Sequence, residues 1–262
     1  MSQNSNTLST ISRVRCGLTQ PAWSSSLNRY GGSVIFLLFG PPGSGKGTQS
    51  RMITNWLEIP AISTGDMLRA EIQAGSELGK VAQSIMAGGG LVGDDLVNKM
   101  LAQRISNTDC CHGFLLDGYP RTVQQAEFLD QLLAERGLPK PVVLHLDVPV
   151  DALVGRMTSR RQCPACGRIY NLLHQPPKKA GVCDDDGSEL VTRKDDQEEV
   201  VKDRIRTYEA VTRPVLSHYQ DQKYYQIRGD RSPAYIFEEI SGVLEPLIGK
   251  NGCGPPKARP AH

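Results

Sequence analysis

The sequence predicts an α/β protein, a parallel sheet wrapped by helices in a three-layer sandwich, and two observations carry that reading. Short apolar runs alternate with longer helical patterns, the mark of a sheet whose strands are joined through helices. Each run is also bounded by Gly, Pro or Asp, as buried strands are. The runs are Val34–Phe39 and residues 114–116, 142–146 and 224–227. Helical stretches follow them. One covers residues 48–57; another opens at Asp94 ahead of Leu96, Val97, Met100, Leu101 and Ile105. A third opens at Asp151 ahead of Leu153, Val154 and Met157, and a fourth at Ser232-Pro233 ahead of Ile236, Ile240 and Leu244. Two stretches break the alternation. Residues 63–92 are helical but end in Gly88-Gly89-Gly90, and residues 162–192 combine Pro, Gly and three cysteines. Both read as insertions able to move on hinges.

A chain of 262 residues, 39% hydrophobic and 22% charged, can bury one sizeable core and carry small inserted subdomains. Thirty basic against twenty-eight acidic residues leave a formal charge of +2, too balanced for nucleic acid or a membrane surface to be the principal partner. The longest apolar run is six residues, far short of the roughly 20 that span a bilayer. Seven cysteines, three of them clustered at Cys163, Cys166 and Cys183, fit a reducing compartment and one metal site better than a secreted disulfide framework. Residues 1–32 are Ser/Thr/Asn-rich, hold Arg13, Arg15 and Arg29 and contain no acidic residue. That composition matches an organelle transit peptide, with a plain extension or an early start codon as the alternative. Residues 251–262 read as a loose tail.

Gly40-Pro41-Pro42-Gly43-Ser44-Gly45-Lys46-Gly47-Thr48 follows the first strand and precedes a helix. Strand, loop and helix in that order make a phosphate-cradling loop. Its glycines let backbone N–H groups wrap an anion, the helix N-terminus adds partial positive charge, and Lys46 brings a point charge to the β- and γ-phosphates. The loop departs from the usual pattern at Gly47, where Ser or Thr commonly follows the lysine; the hydroxyl arrives at Thr48. Such a loop alone does not separate kinases from switches and motors. Asn98-Lys99 is followed by Met100-Leu101 and not by a GTPase base-reading sequence, and the protein-kinase motifs are absent.

Residues 114–116 end in Asp117, with Gly118, Tyr119, Pro120 and Arg121 after it, at the carboxyl edge where α/β sheets bind ligands. Asp117 is the expected magnesium-side carboxylate and Arg121 a bidentate phosphate clamp. Arg156 and Arg160, four apart, are expected on one helix face; Arg193 and Arg204, eleven apart, share a face if one helix runs through both. Arg69 follows the possible cap Ser63/Thr64. Such a cluster of arginines suits phosphoryl transfer between two nucleotides, where an ionised phosphate nucleophile needs no general base. In the second insertion, Cys163-x₂-Cys166-x₁₆-Cys183-x₂-Asp186 has the spacing of a small structural zinc site, with three thiolates and one carboxylate, Asp184, Asp185 or Asp186, at the fourth position.

Gly-Pro-Pro-Gly-Ser-Gly-Lys-Gly-Thr, Ser63-Thr-Gly-Asp-Met-Leu-Arg69, Leu116-Asp-Gly-Tyr-Pro-Arg121 and Arg193-Lys-Asp-Asp196 together resemble the adenylate kinase family, over about residues 34–247. The resemblance implies a core of residues 33–250, an AMP-binding insertion at 63–92 and a zinc-binding β lid at 159–196. It implies ATP + AMP ⇌ 2 ADP with Mg²⁺ on the triphosphate, and a monomer. ATP would be held by Gly43, Ser44, Gly45, Lys46, Gly47, Thr48, Arg156 and Arg160, with Ile169 and Tyr170 of the lid near the adenine. The segment around Gln226 would add a backbone contact. AMP would be held by Thr64, Arg69, Gly90, Leu91, Val92, the Gly118–Arg121 turn and Gln125, the last reading the adenine edge. Arg193 and Arg204 would close on the phosphates from the lid side. The family spacing selects Asp186 as the fourth zinc ligand. Other nucleoside monophosphate kinases, using UMP, CMP or GTP, are the nearest alternative. A P-loop ATPase with a nucleic-acid-gripping zinc hairpin is the distant one, opposed by the acidic run at 184–186. A zinc lid of bacterial type favours the cytoplasm, with an organelle interior second.

Overall fold

A computed structural model describes residues 33–248; the expectations for residues 1–32, 249–250 and 251–262 lie outside it. Five parallel strands form the central sheet in the order β2-β3-β1-β4-β7. They are β1 (Val34–Phe39), β2 (Ala61–Ser63), β3 (Gly113–Asp117), β4 (Val142–Asp147) and β7 (Lys223–Arg228). Because successive side chains on a strand face opposite ways, each strand feeds two apolar layers. Ile35, Leu37, Phe39, Phe114, Leu116 and Val143 enter one. Phe36, Leu38, Leu115, Leu144 and Leu146 enter the other. Helices α1 (Lys46–Leu57) and α9 (Pro233–Ile248) cover the second layer. Helices α4 (Asp94–Arg104), α5 (Val123–Glu135) and α8 (Val215–His218) cover the first. This is the α/β sandwich expected from the alternation.

The four apolar runs are all strands. Strand β2, three residues long, is too short to leave a period, and α5 is a long helix additional to those expected from the apolar patterns. Its start is set by Thr122, whose Oγ1 accepts the Gln125 N–H at 3.1 Å.

The first irregular stretch is a helical hairpin, α2 (Thr64–Ala74) and α3 (Glu77–Ala87), capped by Ser63 and Ser76. A Cβ at Gly79 would lie 2.1 Å from the Glu71 carbonyl, so only glycine lets the hairpin close this tightly. The second stretch follows α6 (Val150–Thr158) and contains the antiparallel pair β5 (Arg160–Gln162) and β6 (Ile169–Asn171). Its buried cluster is small: Cys163, Tyr170, Cys183 and Leu190. It leads through a 3₁₀ turn, Lys194–Asp196, into α7 (Glu198–Thr207).

Two expectations about arginine placement are corrected here. Helix α6 ends at Thr158, so Arg156 is helical while Arg160 begins β5. Arg193 precedes the 3₁₀ turn and Arg204 lies on α7, so no single helix carries both. In each case the chain leaves the helix to build the lid, and tertiary packing, not helical spacing, brings the guanidinium groups together.

Candidate active site

The loop between β1 and α1 runs through left-handed backbone at Gly43 (φ 83°) and Gly45 (φ 95°), the second serving as N-cap of α1. It is pressed against the end of β4: a Cβ at Gly40 would fall 2.8 Å from the Leu146 carbonyl. Half-buried Lys46 folds back over this loop, its Nζ donating to the carbonyls of Gly40 (2.6 Å) and Pro41 (2.9 Å). Burial pulls its ammonium down to about 8, partly opposed by the carboxylate of Asp117.

Asp117 reaches that position by register. In the parallel ladders it pairs with Leu38 on one side and Ser63 on the other, which sets its carboxylate beside the phosphate loop. Burial raises its pKa, with Lys46 opposing. A side chain at Gly47 would lie 4.0 Å from Asp117 Oδ2 and 3.5 Å from Ile169 Cδ1. The hydroxyl missing after the lysine therefore faces the space between Asp117 and the lid.

A cavity of about 1180 Å³ opens above the loop. Arg69, Arg121, Arg156, Arg160, Arg193 and Arg204 all line it together with Lys46 and Asp117, so every predicted arginine converges there. They come from α2, the β3–α5 turn, α6, β5, the approach to the 3₁₀ turn and α7. Arg121 and Arg156 donate to the carbonyls of Gly118 and Gly229 at 2.8 and 2.9 Å, and three carboxylates hold the other four. Asp196, whose side chain is 0% exposed, accepts from Arg160 Nε at 2.7 Å and Nη2, and from Arg204 Nη1 at 3.3 Å. Asp195 meets Arg204 at 2.8 Å. Asp66 pairs with Arg69, and Arg193 stands 3.9 Å from it. Burial works against the Asp195 carboxylate, but Arg204, Arg69, Arg160 and Arg193 outweigh it and hold it below the usual range. Burial pushes Arg121 and Arg193 down to about 10, and neighbouring guanidinium charge adds to the effect. All three carboxylates lie within the quoted motifs, Asp66 in the first insertion and Asp195 and Asp196 after Arg193, but their pairing roles leave no signal in the sequence, since partners are up to 36 positions away.

The remaining predicted residues divide. Gly43, Ser44, Gly45, Gly47, Thr48, Gly90 and Leu91 line the cavity, as do Gly118, Tyr119 and Pro120. Thr64 is buried, its Oγ1 donating to the Gly118 carbonyl at 2.9 Å, and Val92 belongs to the apolar core. Gln125, 2% exposed, is not part of the cavity wall but sits directly behind Arg121: its Oε1 accepts from Arg121 N at 2.8 Å and its Nε2 donates to Asp94 at 2.7 Å. Ile169 and Tyr170 both line the cavity; Ile169 reaches over the phosphate loop, while most of the Tyr170 ring is buried in the lid, its hydroxyl accepting from Asp184 N at 2.8 Å. Gln226 is not brought to the cavity. It is exposed and bonds Asp147, and the backbone arriving from β7 is that of Gly229, Asp230, Arg231 and Ser232. Arg168, His174 and Arg231 line the cavity without having left any motif in the sequence.

In the lid, one ligand atom each from Cys163, Cys166, Cys183 and Asp186 lie within 4.8 Å of one another. Soft thiolates plus one carboxylate, converging from two hairpin turns, fit a tetrahedral zinc ion, with all four positions taken by protein.

A parallel sheet with a glycine loop at its first strand, overhung by a helical hairpin and a cysteine-bearing lid, defines a P-loop protein of the nucleotide-handling class. The family model for adenylate kinase matches residues 38–224. The adenylate kinase of Oceanobacillus iheyensis is 47% identical over 210 residues, covering 80% of this chain and 98% of that protein. That of Trichlorobacter lovleyi is 48% identical over 209 residues, 79% and 98% respectively. That of Anaeromyxobacter dehalogenans is 45% identical over 212 residues, 80% and 99%. The chain belongs to the adenylate kinase family.

Proposed function

We infer that the protein catalyses reversible phosphoryl transfer from ATP to AMP, giving two ADP. The observation that carries this is the convergence of Lys46 and nine arginines, the six above with Arg51, Arg168 and Arg231, on one cavity whose volume, about 1180 Å³, exceeds that of a usual single-ligand site. A triphosphate and a monophosphate brought head to head carry enough negative charge to need those cations, and the monophosphate nucleophile is already ionised near neutral pH. Among the described residues the cavity wall holds one histidine, His174, located in the lid.

Lys46 and the loop N–H groups would hold the triphosphate, while Arg69 and Arg121 would hold the monophosphate. Arg156, Arg160, Arg193 and Arg204 would spread the charge that develops between them. Gln125 would read the base of the monophosphate. Residues 159–196 would close over the loop through Ile169 and exclude water, so that the phosphoryl group passes to AMP and not to solvent. A magnesium ion on the triphosphate, held on the Asp117 side, supplies neutralisation of the phosphate oxygens when bound. Zinc on Cys163, Cys166, Cys183 and Asp186 would be structural. The working unit would be a monomer.

The test is a steady-state assay of purified protein with MgATP against AMP, CMP, UMP and GMP. AMP is the expected acceptor by a wide margin; consumption of another monophosphate at equal kcat/KM, or of none, rejects the reading.

A further inference from the structure

We propose that Asp94 is a positioning residue that sets base preference, by locking the Gln125 side-chain amide in one of its two orientations. The proposal deepens the reading above, resting on Gln125 as the base-reading group.

An amide has a carbonyl end and an NH₂ end of almost the same shape, so its orientation is decided by its partners. Both partners of Gln125 are of one polarity. The Arg121 backbone N–H can only donate, and it meets Oε1 at 2.8 Å. The Asp94 carboxylate can only accept, and it meets Nε2 at 2.7 Å. A flipped amide would set NH₂ against N–H and C=O against carboxylate, losing both bonds. Asp94 is itself held: its other oxygen accepts from Thr122 Oγ1 at 2.7 Å, and Thr122 Oγ1 accepts the Gln125 N–H at 3.1 Å. The ring Asp94–Thr122–Gln125 ties the first turn of α4 to the first turn of α5, just beyond the turn that presents Arg121 to the cavity.

The lock has a chemical consequence. After these two bonds the amide retains one lone pair and one N–H, in a fixed spatial order. A 6-aminopurine presents a donor at N6 and an acceptor at N1; a 6-oxopurine presents an acceptor at O6 and a donor at N1. A fixed amide matches one order and opposes the other, whereas a freely flipping amide serves both. Asp94 thus contributes to choosing between adenine and a 6-oxopurine without touching either.

The probes are AMP and inosine monophosphate, which differ at this edge of the base. Wild type is expected to prefer AMP. Asp94→Ala is expected to lower the AMP-to-IMP ratio of kcat/KM about tenfold, the loss of one charge-assisted hydrogen bond, mainly through KM for AMP and with KM for MgATP unchanged. Asp94→Asn, which can keep an oxygen toward Gln125 by turning its NH₂ to Thr122, should restore most of the ratio. In a Gln125→Ala background, Asp94→Ala should leave the ratio within about twofold. Equal loss toward AMP and IMP, a ratio that moves without Gln125, or no rescue by Asp94→Asn in a folded variant overturns the lock. If wild type and Gln125→Ala alike fail to distinguish AMP from IMP, the base-reading role of Gln125 fails, and the lock with it.

Discussion

In the sheet, β1 sends Ile35, Leu37 and Phe39 into one apolar layer and Phe36 and Leu38 into the other, while in the lid Cys163, Tyr170, Cys183 and Leu190 make up the whole buried cluster. The sheet is ordered by burial of apolar area, at about 1.5–3 kcal/mol for each large side chain taken out of water. Four residues cannot offset the conformational entropy of a segment as long as residues 159–196, which costs roughly 1–2 kcal/mol per residue. Two of those four are thiols, and the same turns bring up Cys166 and Asp186. The lid therefore draws little of its order from apolar burial, and a zinc ion on those four ligands would supply the rest. The helical hairpin at 63–92 stands between them: Leu68, Ala82 and Val92 join the core, yet its outer faces are exposed.

The phosphate loop is where the two regions meet, and the largest effect is expected there. Lys46→Met should reduce kcat/KM by about 10²–10³-fold or more, with folding intact by circular dichroism, because a charge aimed at the transferred phosphoryl group is lost. Near-normal turnover would show that the arginine ring suffices without it. Next comes Leu116→Ala, 0% exposed in the sheet, which should cost about 2–5 kcal/mol in denaturant unfolding while bound zinc stays constant. Cys163→Ser should do the reverse: metal analysis shows zinc lost, proteolysis of the lid accelerates, and the sheet's own transition shifts little, with reduced but measurable transfer. Full metal content in that variant removes Cys163 from the ligand set.

The smallest effect separates the loop from the lid by pH. Burial lowers Lys46 to about 8 against an ordinary value near 10.5. Between those values the unfolded chain binds the proton and the folded free enzyme does not. The contribution of this group to stability therefore rises from pH 8 toward 10.5. Over the same window the free enzyme loses the charge that attracts the triphosphate, so KM for MgATP should rise. Lys46→Arg, charged throughout, should flatten that rise; an equal rise in both proteins assigns it elsewhere.

Much of this was legible in residue order because it is local. A continuous apolar run marks β1, a glycine every two or three positions marks the phosphate loop, and Cys-x-x-Cys marks a chelating turn; each signal lies within one element. Asp117 was legible too, since a carboxylate closing an apolar run is placed by the strand itself. The six arginines do meet at one cavity, but not through helical spacing, since α6 stops before Arg160 and a 3₁₀ turn parts Arg193 from Arg204. Gln226 was misplaced because the backbone turn into α9 comes three residues later. What the sequence determined by itself was the fold class, the phosphate loop and the cysteine cluster, because short-range geometry and periodicity specify them. Only the tertiary structure decided which carboxylate holds which guanidinium, that Asp196 serves both Arg160 and Arg204, and that Asp94 locks Gln125. Those pairings join separate elements, and they follow from how the layers pack, not from any spacing along the chain.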